Sequence, residues 1–315
     1  MENKFIVSVS PHIKIDEDTS RIMRAVNISL LPSLAASAYI FGWRILLVVA
    51  VSVLSCIITE AITQKLMRKK VTINDGSAAV TGLLLAFILP PNIPLWIVVI
   101  GAVLAIFLVK QLFGGLGYNI FNPALAARAI LLSSWPVHMT TWTTPVLSFI
   151  GTDAVTSASP LNLIKMHLGQ TLPSYWNLFI GNIPGSLGET CKLTLLLGAA
   201  ILLIKKIIDW RTPLSFIGVV AIFSIIFRRN PVFEILSGGL ILGAFFMATD
   251  MVTAPTTRKG KLIFGAGCGV LTSLIRVYGG FPEGVCYSIL FMNSLTPLIE
   301  KYVRPRRFGT LRRKE

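Results

Sequence analysis

Residues 82–87 read G-L-L-L-A-F, and residues 239–246 read G-L-I-L-G-A-F-F. Each run leads into a proline-bearing break. An apolar segment with a basic residue follows (Lys110 in one copy, Arg276 in the other), then a Gly-Gly turn, Gly114-Gly115 or Gly279-Gly280, then another apolar helix. A chain that repeats this order is built of two related halves. An apolar crossing of a membrane takes roughly 20 residues, fewer where a helix is broken around a buried site. On that measure the chain offers about ten spans, near 26–41, 43–62, 77–90, 93–111, 122–135, 190–207, 212–228, 231–249, 261–278 and 282–300. Five spans per half is an odd number, so the halves enter the membrane from opposite sides. That is the inverted-repeat plan, which puts sites at the repeat interface.

Composition points the same way. The 315 residues are 54% hydrophobic and only 14% charged, with a mean hydropathy of +0.74. A soluble domain carries roughly a quarter charged residues. The net charge of +15 would suggest nucleic acid in a soluble protein. Here it follows the rule that Lys and Arg collect in cytoplasmic loops. With the N-terminus inside, 22 of the 29 Lys and Arg fall on inside segments, and Arg44, Arg128, Lys165, Lys192, Arg228, Arg229 and Arg276 do not. The expected protein is an all-α polytopic membrane protein with both termini cytoplasmic and no nucleic-acid partner. Its parts are an N-terminal segment (1–25), a first membrane repeat (26–135), an outer loop (136–189), a second repeat (190–300) and a basic tail (301–315) that faces anionic lipid. The N-terminus is too polar for a secretory signal.

Cys56, Cys191, Cys268 and Cys286 form no C-x-x-C pair, and His12, His138 and His167 are scattered, so no metal-ligand spacing exists. No P-loop and no complete G-x-G-x-x-G is present. Polar residues enter apolar surroundings at a few places. Asn74-Asp75-Gly76-Ser77 suits a helix cap. Asn122-Pro123 opens a helix in which Arg128 lies among alanines, needing phosphate or a carboxylate such as Asp250 as its partner. M-A-T-D-M-V-T-A-P brings Asp250 to the edge of a span, and in R-V-Y-G-G-F-P-E-G-V Arg276 can pair with Glu283 across the turn. The Gly239…Gly243 and Gly265…Gly269 spacings suit close helix packing. The outer loop holds D-A-V-T-S-A-S-P-L, Asp153 to Leu161, a run of small hydroxyl residues with no evident structural use.

N-I-F-N-P-A-L-A-A-R-A, F-M-A-T-D-M-V-T-A-P and R-V-Y-G-G-F-P-E-G-V together resemble the RnfD/NqrB family. RnfD is a membrane subunit of the Rnf ion-translocating electron-transport complex, and NqrB is its relative in the sodium-pumping NADH:quinone oxidoreductase. The resemblance runs from Ser10 to Leu298. It implies a urea-transporter-like fold in the bacterial plasma membrane and an oxidoreductase-translocase subunit that carries flavin. The family attaches FMN, by a flavin transferase, to the last hydroxyl of D-x-x-[S/T]-G-A-T. In this chain Asp153, Thr156, Ala158, Pro160 and Leu161 match, Ser157 stands for the usual Gly, and Ser159 stands for the acceptor Thr. Ser159 is therefore the expected acceptor, with Thr156 and Ser157 as alternatives. An acceptor must be a small, exposed hydroxyl that a soluble enzyme can grip. The resemblance further implies a noncovalent riboflavin within the bundle. The implied partners are a second covalent-FMN subunit and iron–sulfur subunits, with ferredoxin or NADH docked elsewhere. Asn122 and Arg128 are the expected polar groups near flavin. Glu60, Asp250 and Glu283 are the acidic candidates for a Na⁺ or H⁺ pathway. A transporter or channel without redox role, and a passive scaffold, are the rival readings.

Overall fold

Proline and its caps punctuate this chain. Asn122 Oδ1 accepts from the N–H groups of Ala124 and Leu125, at 3.1 and 3.3 Å, with Pro123 at the first helical position. Asn230 and Pro231 repeat that device, and Asp75 Oδ1 accepts from the N–H and hydroxyl of Ser77 at 2.8 and 2.7 Å, as the sequence suggested. The computed structural model describes residues 18–145, 156–166, 172–280 and 283–303.

The first half is α1 (Thr19–Phe41), α2 (Arg44–Leu66), α3 (Ser77–Phe87), α4 (Leu95–Val103, continuing as a π-helix over Leu104–Gln111) and α5 (Pro123–Ser134). The segment between the halves is not a plain loop. It holds α6 (Pro136–Thr140), the strands β1 (Trp142–Thr143) and β2 (Thr156–Ser157), α7 (Pro160–Lys165) and α8 (Tyr175–Ile180). The strands pair antiparallel, Trp142 opposite Ser157 and Thr143 opposite Thr156. The second half is α9 (Lys192–Ile204), α10 (Arg211–Ile226), α11 (Pro231–Leu236), α12 (Leu240–Leu242, continuing as a π-helix over Gly243–Met247), α13 (Arg258–Tyr278) and α14 (Val285–Tyr302).

The halves use corresponding contacts. In the first, α2 packs on α3 and α4; in the second, α10 packs on the π-helical stretch after α12 and on α13. The halves then meet through α1 against α9 and α5 against α14. Small residues set these approaches. A Cβ on Gly198 would lie 2.1 Å from the Ser29 carbonyl oxygen, and one on Gly265 2.5 Å from that of Thr212, so α9 sits on α1 and α13 on α10 backbone to backbone. α2 and α13 are long and apolar enough to cross a membrane. Leu46, Leu47, Leu54, Ile58 and Ile62 form an exposed apolar face on α2, and Leu214, Ile222, Ile225 and Ile226 one on α10. Such surface is at home in lipid.

The break after α3 is buried and needs partners for its backbone. The carbonyls of Phe87 and Leu89 accept from the N–H groups of Gly188 and Leu187, at 2.8 and 3.2 Å. The stretch before α9 thus completes α3, and Gly188 is required there: a Cβ would lie 2.4 Å from the Phe87 side chain.

Candidate functional site

The Asn122 cap fixes the phase of α5 and turns Arg128 into the interior, 7% exposed. Its Nη1 meets Glu189 Oε1 at 3.1 Å and its Nη2 meets Glu283 Oε2 at 2.5 Å. Asp250, the carboxylate considered for it from sequence, is not its partner; the stretch before α9 and the turn before α14 bring nearer ones. Arg276 differs from expectation too. From Glu283 it takes only the backbone carbonyl, at 3.4 Å, and its ion pair is with Glu234, Nη1 to Oε2 at 2.8 Å. Glu234 also pairs with Arg229 at 3.2 Å. Lys192, at the start of α9, donates to the carbonyls of Glu189 and, at 3.0 Å, Gly238. Gly238, with φ +65°, and Gly239 make room for this: a Cβ on Gly239 would lie 2.4 Å from Glu189 Oε1. Four cations, Arg128, Lys192, Arg229 and Arg276, face three carboxylates, Glu189, Glu234 and Glu283. One positive charge is left over in a largely buried cluster, a setting that favours an incoming anion.

Ser159 lies against this cluster. It is the N-cap of α7, its Oγ accepting from the Asn162 N–H at 3.4 Å, and it is 8% exposed. The expectation of an exposed acceptor is therefore corrected: the β1–β2 pair and Leu161, buried with Leu178, Ile183 and Phe233, dock the segment onto the bundle. Ser159, Thr190, Lys192, Glu189 and Glu283 line one small cavity. A larger one of about 240 Å³ adjoins through Glu283, lined by Arg128, Trp142, Asn162 and Tyr287. The buried Thr190 hydroxyl, which lines the small cavity, has no partner among the described residues. The two cavities fit a phosphate-bearing aromatic group: an orphan donor, surplus positive charge and aromatic walls. Thr156 contributes its strand backbone, and Asp153 lies outside the described residues. At the rim, burial and the neighbouring Arg229 push the Lys165 ammonium below its ordinary range.

A second polar cluster sits elsewhere in the first half. Glu60 on α2 and Lys110 on α4 pair at 2.8 Å, at 1% and 2% exposure. Gln111 donates to Glu60 Oε1 at 2.8 Å, and Lys110 donates to Ser77 Oγ at 2.6 Å. Lys110 and Gln111 are adjacent, yet both reach Glu60 from the π-helical stretch, whose wider turn re-aims side chains. Lys110, Ser77, Asn119, Asn122 and Asp250 line a mostly apolar cavity of about 90 Å³ between the halves, and Asn119 Oδ1 there is buried without a partner among the described residues. Asp250 also lines an adjoining cavity of about 300 Å³ together with Asp209 and Lys261. Burial would raise the Asp209 carboxyl, but the Arg211 N–H and the Lys261 ammonium outweigh it and hold it below its usual range.

Asp250 and Lys110 therefore line one cavity, with Glu60 held behind Lys110, whereas Glu283 belongs to the Ser159 cluster. Asn122 and Arg128, paired in the sequence reading, open onto different cavities. The sequence reading missed Glu189, Lys192 and Glu234. The available signal was that each is an ionisable residue at the edge of an apolar run.

Broken helices, glycine-seated contacts and buried charge clusters at the junction of two halves define a polytopic membrane protein with internal polar sites. The NQR2, RnfD, RnfE family model matches residues 6–309, and the chain belongs to that family. It is 49% identical to the D subunit of the Na⁺-translocating ferredoxin:NAD⁺ oxidoreductase complex of Acetobacterium woodii, over 100% of this chain and 98% of the relative. It is 47% identical to the D subunit of the proton-translocating ferredoxin:NAD⁺ oxidoreductase complex of Clostridium ljungdahlii, over 99% and 98%. The D subunit of an ion-translocating oxidoreductase complex from Shewanella amazonensis is 38% identical over 97% and 98%.

Proposed function

We propose that this chain is a membrane subunit of an ion-translocating ferredoxin:NAD⁺ oxidoreductase complex that carries FMN on Ser159. The observation that carries the reading is the cavity shared by the Ser159 hydroxyl and a buried cluster with one cation in excess. In the attachment the Ser159 oxygen gains a bond to the phosphorus of an activated FMN donor and gives up its proton. The same phosphorus loses its bond to the donor's leaving group, so no oxidant or reductant is needed. Because Ser159 is docked, the transferase must act before α7 settles or while it is lifted. Once bound, a flavin accepts two electrons and releases them singly, which links one-electron and two-electron partners. The chain's own residues then position it: Arg128 and Tyr287 border the adjoining cavity, and Glu189 and Glu283 hold Arg128 in place.

The cavity between the halves is the proposed place for a noncovalent riboflavin, with Asn119 and Asn122 as its polar groups. Asp250 and Lys110 line that cavity and Glu60 pairs with Lys110 from behind it, so Asp250 and Glu60 are the proposed route for Na⁺ or H⁺, and Glu283 is better read as part of the flavin cluster. The corresponding contacts of the two halves support a ten-span inverted repeat in the plasma membrane, with both termini cytoplasmic. The partners in this reading are a second covalent-FMN subunit, iron–sulfur subunits and the transferase.

The test is purification of the complex from its native membrane, denaturation in SDS, and in-gel flavin fluorescence with mass spectrometry of the Ser159 peptide. A fluorescent band at this chain with FMN mass on Ser159, both lost in Ser159→Ala, is the expected result. A dark band from a host that contains the transferase would remove the covalent flavin and favour a channel without redox role.

A further inference from the structure

Within the outer cluster Lys192 stands apart. Arg128, Arg229 and Arg276 each pair with a carboxylate. Lys192, 1% exposed, makes no ion pair among the described residues; its ammonium donates to the carbonyls of Glu189 and Gly238 only. An ammonium has three N–H donors, so one is left over. A buried cation with an unused donor is costly, and such groups persist where an anion arrives. Lys192 lines the small cavity with Ser159, and so does Thr190, whose buried Oγ1 also lacks a partner among the described residues. Two free donors thus share a cavity with the acceptor hydroxyl.

We propose that Lys192, with Thr190, is the seat of the phosphodiester formed on Ser159, locking α7 against the bundle once the flavin is attached. The proposal rests on Ser159 being the attachment site. A phosphodiester carries one negative charge, which balances the surplus cation. The Lys192 ammonium is a point donor that can turn its third N–H toward a phosphate oxygen. Lys192 is thereby a positioning residue: it acts on the tether and on α7, away from the redox-active ring.

Hydrogen exchange tests this on the purified complex, read by mass separately on the flavin-bearing and flavin-free forms of the peptide over residues 159–166. Attachment is expected to slow exchange over α7 by about tenfold in the wild-type chain, the size of one charge-assisted hydrogen bond. Lys192→Gln should abolish that difference, Thr190→Val should reduce it, and Lys192→Arg should keep most of it. Flavin-dependent protection that survives Lys192→Gln would overturn the seat while leaving Ser159 attachment intact. If Lys192→Gln is not loaded at all, loading of Lys192→Arg supports the seat and failure of both variants counts against it. Wild-type protein without flavin on Ser159 would remove the parent reading and the seat together.

Discussion

Glu60 and Lys110 lie 50 positions apart in sequence and meet at 2.8 Å, almost wholly out of solvent. Each charge is tolerable only because the other is there, and because Gln111, Gln64 and Ser77 use the remaining lone pairs and protons. Removing one member leaves the other buried and uncompensated. Lys110→Met or Glu60→Leu alone should therefore cost about 3–5 kcal/mol, whereas the double replacement by apolar side chains of similar volume should recover most of that loss. Thermal unfolding of the four proteins in one detergent measures the coupling. Additive losses in the double variant would mean that the two charges are stabilised separately. If the pair also serves ion movement, the double variant will be stable and yet uncoupled, which separates the structural role from the functional one.

At the scale of the element, α5 shows what a cap does for a site. Asn122 ends the preceding turn, satisfies two otherwise free N–H groups and sets the angle at which Arg128 leaves the helix. Asn122→Ala should cost about 1 kcal/mol from the lost cap. Asn122→Asp, which keeps the cap, should cost less in an unfolding titration. Equal losses for the two would show that the amide nitrogen, not the cap, matters. Caps and breaks of this kind were legible in the sequence, since Asn-Pro pairs and Gly-Gly turns act through their immediate neighbours. The partners of Arg128 were not. Glu189 and Glu283 lie 61 and 155 positions away, and only the packing of α5, α9 and α14 selects them over Asp250. The burial of Ser159 was equally hidden, because it comes from Leu161 docking beside Leu178 and Phe233, a contact no local pattern encodes.

Across the whole molecule α5 joins the two cavities, with Asn122 opening onto one and Arg128 onto the other, roughly 9 Å apart along the helix axis. One helix therefore spans the gap between the proposed flavin places, and it belongs to the interface where the halves meet. The proposed placement of these cavities relative to the membrane rests on charge. Lys65, Arg68, Lys69 and Lys70 end α2, and Lys205, Lys206 and Arg211 surround the turn from α9 to α10, both on the side proposed to be cytoplasmic. The outer segment, α6 to α8, is then on the opposite side. The chain is well suited to a direct check, because all four native cysteines are buried and an introduced one reports alone. Val137 and Trp176 are 72% and 68% exposed, so Val137→Cys and Trp176→Cys should react with an impermeant maleimide in sealed right-side-out membranes. Lys70→Cys and Lys205→Cys should react only after the membranes are opened. The reverse pattern would invert the protein and put Ser159 in the cytoplasm. Labelling of both sets before opening would mean that the segment from α6 to α8 and the basic turns share one side, which would overturn the odd number of spans proposed between Lys70 and Val137.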